Sequence, residues 1–302
     1  FLRWRYGRFS RPFTFAAAVI SHPDSDHYRG FEPIFSDPNI NFTALHHNGL
    51  VERDDAELLG PREDGFVTDV VQTREALEAI LADPQRRGRK AYPNLLHGLL
   101  ASGRVRDVSA VASSDRHLPG FAPGDTPSGL VIEALAPVLD IAGPKPRLPW
   151  FGDAGKTKNG NSVVLRMLYG GVSILLGGDL NIPAEHRLLS EYTGYAMPPR
   201  EQDRAAVIEG ARKVFRSDVA KACHHGSADF TDLFLQAIDP LVTVISSGDN
   251  EPHAHPRADA LGAVGRWGRG SRPLVFSTEL ARSGRESIKQ PFVFRQQLLA
   301  AE

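Results

Sequence analysis

The 302-residue sequence contains one cysteine. A single thiol permits neither an internal disulfide nor a thiolate zinc cluster, so metal chemistry here has to rest on imidazole and carboxylate. No run of about 18 apolar residues occurs, which excludes a membrane-spanning helix in this chain. The most apolar short run, Phe15 to Ile20, is only strand length. Net charge is close to nil, −1 from 35 basic and 36 acidic residues, so the sequence offers no globally basic nucleic-acid surface. Repeats of fixed short period and low-complexity tracts are also absent, which argues against solenoids and polar linkers. The chain opens on Phe1 rather than Met and shows no signal-peptide pattern. That reads as a cut or processed N-terminus, with a cytoplasmic location as the default and a lost targeting or membrane segment left open.

What is present describes a globular domain. Hydrophobic residues make up 41% of the chain and charged residues 24%, which excludes a disordered tail, a collagen-like fibre and a coiled coil. Glycine (28) and proline (22) together are about one residue in six, so turns are frequent and long helical arrays are not expected. Eleven histidines against one cysteine is the unusual count.

Strand and helix patterns alternate along the chain. Strands are expected at Phe15–Ile20, Asn41–Leu45, Arg104–Val111, Gly129–Leu135 and Leu241–Ser246, at Asp218–Ala222, and at Pro273–Ser277 and Phe292–Phe294. Ser162–Tyr169 and Val172–Leu176 form a hairpin around Gly170-Gly171. Helices are expected near Tyr28–Phe35, at Thr73–Leu81, Leu95–Ser102, Pro183–Tyr192, Arg204–Val214 and Thr231–Ile238, and near Arg257–Arg266. This alternation predicts an α/β fold.

The chemistry-bearing residues sit just past the strands. His22-x-Asp24-x-Asp26-His27 packs four metal-capable donors into six residues after the first apolar strand. Imidazole and carboxylate suit zinc, manganese or iron, and a tight loop can aim the two halves at two adjacent ions. Gly177-Gly178-Asp179 ends the strand Val172–Leu176. Cys223-His224-His225-Gly226-Ser227 and His253-x-His255-Pro256 each follow a strand as well. Taken singly, the last three are weak signals, since Gly-Asp turns and polar loops are common. Their repetition at strand ends, where α/β folds place ligands, makes the set specific.

His22-x-Asp24-x-Asp26-His27 resembles the His-x-(His/Asp)-x-Asp-His signature of the metallo-β-lactamase fold superfamily. More narrowly, Val19 to His27, Gly160 to Arg166, Leu175 to Asp179, and His224 to Ser227 with His255-Pro256 resemble the hydrolase domain of ComEC-like competence proteins and their stand-alone relatives. The likeness covers residues 15–35 and about 155–265. It implies a four-layer αββα sandwich and a single domain over 1–302. Residues 47–150 would form an insertion or lid. The strand pair that normally precedes the histidine motif would be missing, which fits the truncated start.

The resemblance also implies roles. His22 and Asp24 would bind one divalent ion, Asp26 and His27 the second, and Asp179 would bridge them. His225 would be the later histidine ligand, with His224 beside it and the choice between the two left open. His255 would be a further ligand or would polarise the substrate, and Asp26 would orient the nucleophilic water. Asn161 and His253 are additional candidates. Cofactors would be two divalent ions, zinc by default or manganese.

Such a ligand set implies a binuclear metal-dependent hydrolase using a metal-bridged hydroxide, with no need for a Ser-His-Asp triad. The ComEC-like likeness points to a phosphodiesterase or nuclease with a phosphodiester or nucleic-acid substrate. The Arg/aromatic alternation of Phe1–Arg11 and the run Arg86-Arg87-Gly88-Arg89-Lys90 are local basic patches, though packing of the aromatics and solvation of the charges explain both as well. A carbonyl-ester hydrolase (lactonase, thioesterase or β-lactamase) and a non-catalytic module retaining the fold are the alternatives. Cys223 reads as structural.

Overall fold

The computed structural model describes residues 5–7, 10–54, 57–143, 145–248 and 253–278. The expected strand Phe292–Phe294 lies outside them, as do Trp4 and Phe9 of the N-terminal alternation. In chain order the strands are β1 (Phe13–Val19), β2 (Ile40–His47), β3 (Arg62–Glu63), β4 (Phe66–Val67), β5 (Val105–Ala110), β6 (Val131–Ala136), β7 (Leu148–Pro149), β8 (Val164–Tyr169), β9 (Val172–Leu176), β10 (Val219–Lys221), β11 (Val242–Ile245) and β12 (Leu274–Ser277). The α-helices are α1 (Ser25–Tyr28), α2 (Glu32–Phe35), α3 (Arg74–Ala82), α4 (Pro84–Arg87), α5 (Ala91–Ala101), α6 (Ala154–Gly160), α7 (Ile182–Thr193), α8 (Arg204–Phe215), α9 (Asp232–Ile238) and α10 (Ala258–Trp267). The mixed α/β class expected from the alternation is what the chain adopts.

Local chemistry sets the helix starts. Thr73, Asn181 and Thr231 stand at the N-caps of α3, α7 and α9, and each side chain accepts a backbone N–H from the first turn. Pro183 sits in the first turn of α7, where its missing N–H costs nothing.

Three sheets result among the described residues. β1, β2 and β5 lie side by side, all parallel. A six-stranded sheet has the order β12-β11-β10-β9-β8-β6. Its first four strands are parallel, and the β8–β9 hairpin adds an antiparallel side with β6. A small antiparallel sheet, β3-β4-β7, joins pieces too short to show a period in the sequence. Parallel neighbours need crossovers, which is why helices separate most strands of the two larger sheets.

Among the described residues four apolar clusters hold these parts, one of them, Leu50, Leu59, Val67 and Leu148, under the small sheet. Ile40, Leu45, Val105 and Val108 of the three-stranded sheet pack on Leu77 and Leu81 of α3 and on Tyr92, Leu96 and Leu99 of α5. Val164, Leu175 and Ala220 of the six-stranded sheet pack on Leu188, Val207, Phe215 and Phe234. Ala17 and Val19 of β1 meet Ile132, Ala134, Leu165 and Met167 of β6 and β8, so the two sheets contact each other directly. Each fully buried aliphatic or aromatic side chain contributes roughly 1.5–3 kcal/mol of transfer free energy.

The region 47–150, read from the sequence as an insertion or lid, supplies β5 to one large sheet and β6 to the other. Those two strands therefore belong to the frame. β1, β9, β10 and β11 all run their C-terminal ends toward one place, and the site is built there.

Candidate metal centre

After β1 the chain passes through Ser21 and His22 and enters the single turn of α1. Val163 N–H donates to the Ser21 carbonyl at 2.8 Å and ties this loop to the start of β8. Asp24 stands at the N-cap of α1, yet its side chain makes no capping hydrogen bond. Asp26 and His27 lie within the turn itself.

Asp179 arrives from β9 through Gly177-Gly178. Gly178 has φ +56°, and a Cβ there would stand 2.4 Å from the Ser162 Cβ, so only glycine allows the approach. Ser162 Oγ accepts the Asp179 backbone N–H at 3.0 Å. His224 and His225 follow β10 in a tight turn, both with positive φ, +46° and +53°. Such geometry is uncommon for non-glycine residues and is held here by surrounding contacts. His224 N–H donates to the Gly178 carbonyl at 3.1 Å, and Arg257 N–H donates to the Gly226 carbonyl at 2.8 Å.

These turns bring Asp26, His27, Asp179 and His225 together, with one donor atom from each lying within 4.8 Å of all the others. His27 Nε2 and His225 Nε2 face each other at 3.1 Å. His225 Nε2 is 3.1 Å from Asp26 Oδ2 and 3.3 Å from Asp179 Oδ2. His27 Nε2 is 3.2 Å from Asp179 Oδ1. The second ring nitrogens are tied down. His225 Nδ1 donates to the Ser246 carbonyl at 2.6 Å, which leaves its Nε2 aimed into the cluster. His27 Nδ1 meets Ser21 Oγ at 2.8 Å. Outer contacts of this kind orient metal-ligating histidines.

The electrostatics agree. Burial works to lower the His225 imidazole, but Asp179 and Asp26 beside it outweigh burial and push it up to about 10. Asp26 is lowered to about 2, chiefly by the His225 imidazole. Burial works to raise the Asp179 carboxyl, and the imidazoles of His225 and His27 hold it well below the usual carboxylate range. Two carboxylates therefore attract a positive charge at this point, and a divalent cation can take the place of the proton. The donor set of two imidazoles and two carboxylates fits such an ion.

His22 and Asp24 stand beside this group rather than in it. His22 is fully buried, its Nδ1 lies 3.0 Å from Ser162 Oγ, and its Nε2 has no hydrogen-bond partner. Burial lowers its imidazole to about 3. Asp24 Oδ2 is 3.7 Å from His22 Nε2, while Asp24 Oδ1 is ion-paired with Lys158. Lys158 is in turn 3.0 Å from Glu52 Oε1. Burial works to lower Lys158, and these two carboxylates outweigh it and raise it.

An open cleft of about 1210 Å³ leads to the cluster. Asp24, Asp26, Asp179, His224, His225, His253 and His255 all line it, with Lys156 and Arg257. The His255 and His224 rings are 5.4 Å apart, and the His253 and His255 rings 6.0 Å. Asn161 lies elsewhere: its buried side chain donates to the carbonyls of Pro149 and Thr157. Cys223 is packed at the edge of the second apolar cluster, and burial raises its thiol to about 12.

Sequence reasoning passed over Lys158, Glu52, Lys221 and Ser246. Lys221 Nζ is 3.6 Å from Asp179 Oδ1. Nothing in the local pattern marks these residues, because their partners are distant in the chain. Ser162 had a faint signal, lying two residues beyond Gly160 in a stretch already singled out by resemblance.

No family model matches the chain. It is similar to ComE operon protein 3 of Bacillus subtilis (strain 168), 30% identical over 106 residues, 35% of this chain and 11% of that protein. It is also similar to Competence protein ComA of Neisseria gonorrhoeae, 32% identical over 99 residues, 32% of this chain and 12% of that protein. The matched stretch thus spans about a tenth of the length of these relatives. Among the described residues no helix is long and apolar enough to cross a membrane. The chain shares a partial, low-identity likeness with competence proteins, and it carries a His/Asp group able to hold a metal ion.

Proposed function

We propose that the chain is a metal-dependent hydrolase of the metallo-β-lactamase type whose substrate class is the phosphodiester, nucleic acid included. The observation that carries this reading is the convergence of Asp26, His27, Asp179 and His225 at one point, with donor atoms within 4.8 Å of one another. Direct contact of β1 with β6 and β8, and packing of helices on each large sheet, support a four-layer αββα arrangement. The similarity to a protein named as a competence protein supports a DNA-related substrate.

Asp26, His27, Asp179 and His225 would hold a divalent ion, which would supply a lowered water pKa and offset negative charge on a phosphoryl oxygen. In the two-ion form of the reading, His22 and Asp24 are the donors for a second ion, and the unpartnered His22 Nε2 supports their availability. Asp26, the more exposed of the two cluster carboxylates, would orient the attacking water at the cleft floor. Arg257 and Lys156, which line the cleft with His255, would bind the anionic backbone. With an ion offsetting the three lining aspartates, Lys156 and Arg257 would favour an anionic phosphodiester over a neutral ester.

The test is hydrolysis of bis(p-nitrophenyl) phosphate and single-stranded DNA by the full chain with added Mn²⁺ or Zn²⁺. Turnover that depends on the ion is expected. Absence of turnover with the ion confirmed bound overturns the reading, and turnover of a lactone or thioester panel alone moves it to carbonyl chemistry.

A further inference from the structure

We infer that Lys158 is a built-in cation occupying the second cation position of the site, so that this chain holds one resident metal ion rather than two. The inference rests on the metal-dependent reading above and refines it. Three features carry it.

The first is the asymmetry between the donors. Asp26, His27, Asp179 and His225 form a compact group in which each donor atom faces the others. Asp24, from the same loop, turns one oxygen to the Lys158 ammonium instead. An ion seeking His22 and Asp24 must compete with that ammonium for the carboxylate.

The second is enclosure. The Lys158 side chain is 12% exposed and that of Glu52 is 13% exposed, values far from those of a surface lysine. Lys158 lies between two carboxylates drawn from separate parts of the chain, Asp24 after β1 and Glu52 after β2. Withdrawing it leaves two half-buried carboxylates unbalanced, which is strongly unfavourable.

The third is rigidity of its support. Lys158 rides on α6, whose N-cap Asp153 accepts the Lys156 N–H at 2.7 Å. Asn181 donates to the Lys156 carbonyl at 2.9 Å, and Asn161 donates to the Thr157 carbonyl at 2.8 Å. Thr157 Oγ1 accepts the Phe151 N–H at 3.0 Å. The backbone just before Lys158 is therefore anchored by three separate contacts, and the ammonium reaches Asp24 from a helix tied to its surroundings.

A lysine in this place supplies one positive charge at a fixed point and no open coordination positions. It screens His22 and Asp24 from each other's partners without binding water or substrate oxygen as an ion does.

The experiment is metal stoichiometry of the full chain after saturation with Mn²⁺ and removal of excess, by elemental analysis against protein concentration. Electron paramagnetic resonance on the same samples distinguishes an isolated Mn²⁺ from a coupled pair and needs no variant. Expected are one ion per chain with an uncoupled spectrum, the same for Lys158→Arg, and two ions with a coupled spectrum for Lys158→Met. Two ions in the unmodified chain overturn the inference, as does a Lys158→Met protein that is folded by circular dichroism and still takes one. No ion in the unmodified chain overturns the metal-dependent reading itself, an outcome distinct from a count of two.

Discussion

Two His-His pairs occur in this molecule, each at the end of a parallel strand and each followed closely by a positive-φ glycine. His46-His47 ends β2, with Gly49 at φ +85°. His224-His225 follows β10, with Gly226 at φ +79°. Their environments are opposite. His47 is fully buried in the frame, and its Nδ1 accepts the Gly49 N–H at 3.1 Å. An Nδ1 used as an acceptor places the neutral ring's proton on Nε2 and removes that atom as a ligand. His225 Nδ1 donates to a carbonyl instead, so Nε2 is the nitrogen that faces the carboxylates and can exchange its proton for an ion. Burial drives the His47 imidazole down to about 4, while Asp179 and Asp26 push His225 up to about 10 against its burial. The lesson is that the sequence pattern His-His at a strand end does not define a site. What Nδ1 touches decides it.

The widest separation between the pairs is expected from truncation. His225→Ala should lower metal affinity by more than the roughly 10–100-fold that loss of an outer-shell partner costs, and should remove the metal-dependent hydrolysis proposed above. His46→Ala, which loses the Ser109 Oγ hydrogen bond and buried packing away from the cluster, should leave the metal content of the folded protein unchanged. Elemental analysis of the two purified proteins decides the matter, and equal metal loss from both would erase the contrast.

Acid should separate them next. The folded chain holds His47 near 4, below the ordinary 6.5. As pH falls the unfolded chain takes up its proton first, so this contribution to stability is full above 6.5 and is lost progressively toward 4, roughly 3 kcal/mol in all. His47→Gln removes that loss. Urea denaturation at pH 7 and near pH 4.5 should show a smaller acid penalty in the variant than in the parent, and parallel curves would count against the assignment.

The glycines give the smallest contrast. A Cβ at Gly49 would stand 2.6 Å from Val70 Cγ1, and one at Gly226 would stand 2.8 Å from Pro256 Cβ. Each Gly→Ala change should cost about 1 kcal/mol or somewhat more through positive φ. Only Gly226→Ala should also weaken metal binding, because it displaces the turn that carries His225. Thermal melts paired with metal titration test this, and a Gly49→Ala protein with weakened metal binding would contradict it.

Much of this was readable from residues alone because it is local. The hydrophobic runs of β1, β8 and β9 announce themselves, and their polar sequels hold Asp26, His27 and Asp179 within a few positions. The β3-β4-β7 sheet was not readable, since two-residue strands carry no period. Membership of β5 and β6 in the large sheets was hidden by the loops around them. Lys158 escaped notice for a different reason: its meaning comes from Asp24 and Glu52, which lie more than a hundred positions away. Ser246 acts through a backbone carbonyl, and no side-chain motif reports that.

The four central donors come in equal numbers from two sheets. Asp26 and His27 follow β1 of the three-stranded sheet, and Asp179 and His225 follow β9 and β10 of the six-stranded one. An ion held among them is thus a cross-link between the two halves of the molecule, and occupancy couples to their cohesion. Saturation at 100 times the dissociation constant adds about 2.7 kcal/mol to whatever the apolar seam between β1, β6 and β8 supplies. Removing such an ion should loosen the joint between the sheets before it loosens either sheet, so a chelator should act on the ion-loaded fold as a solvent acts on glue.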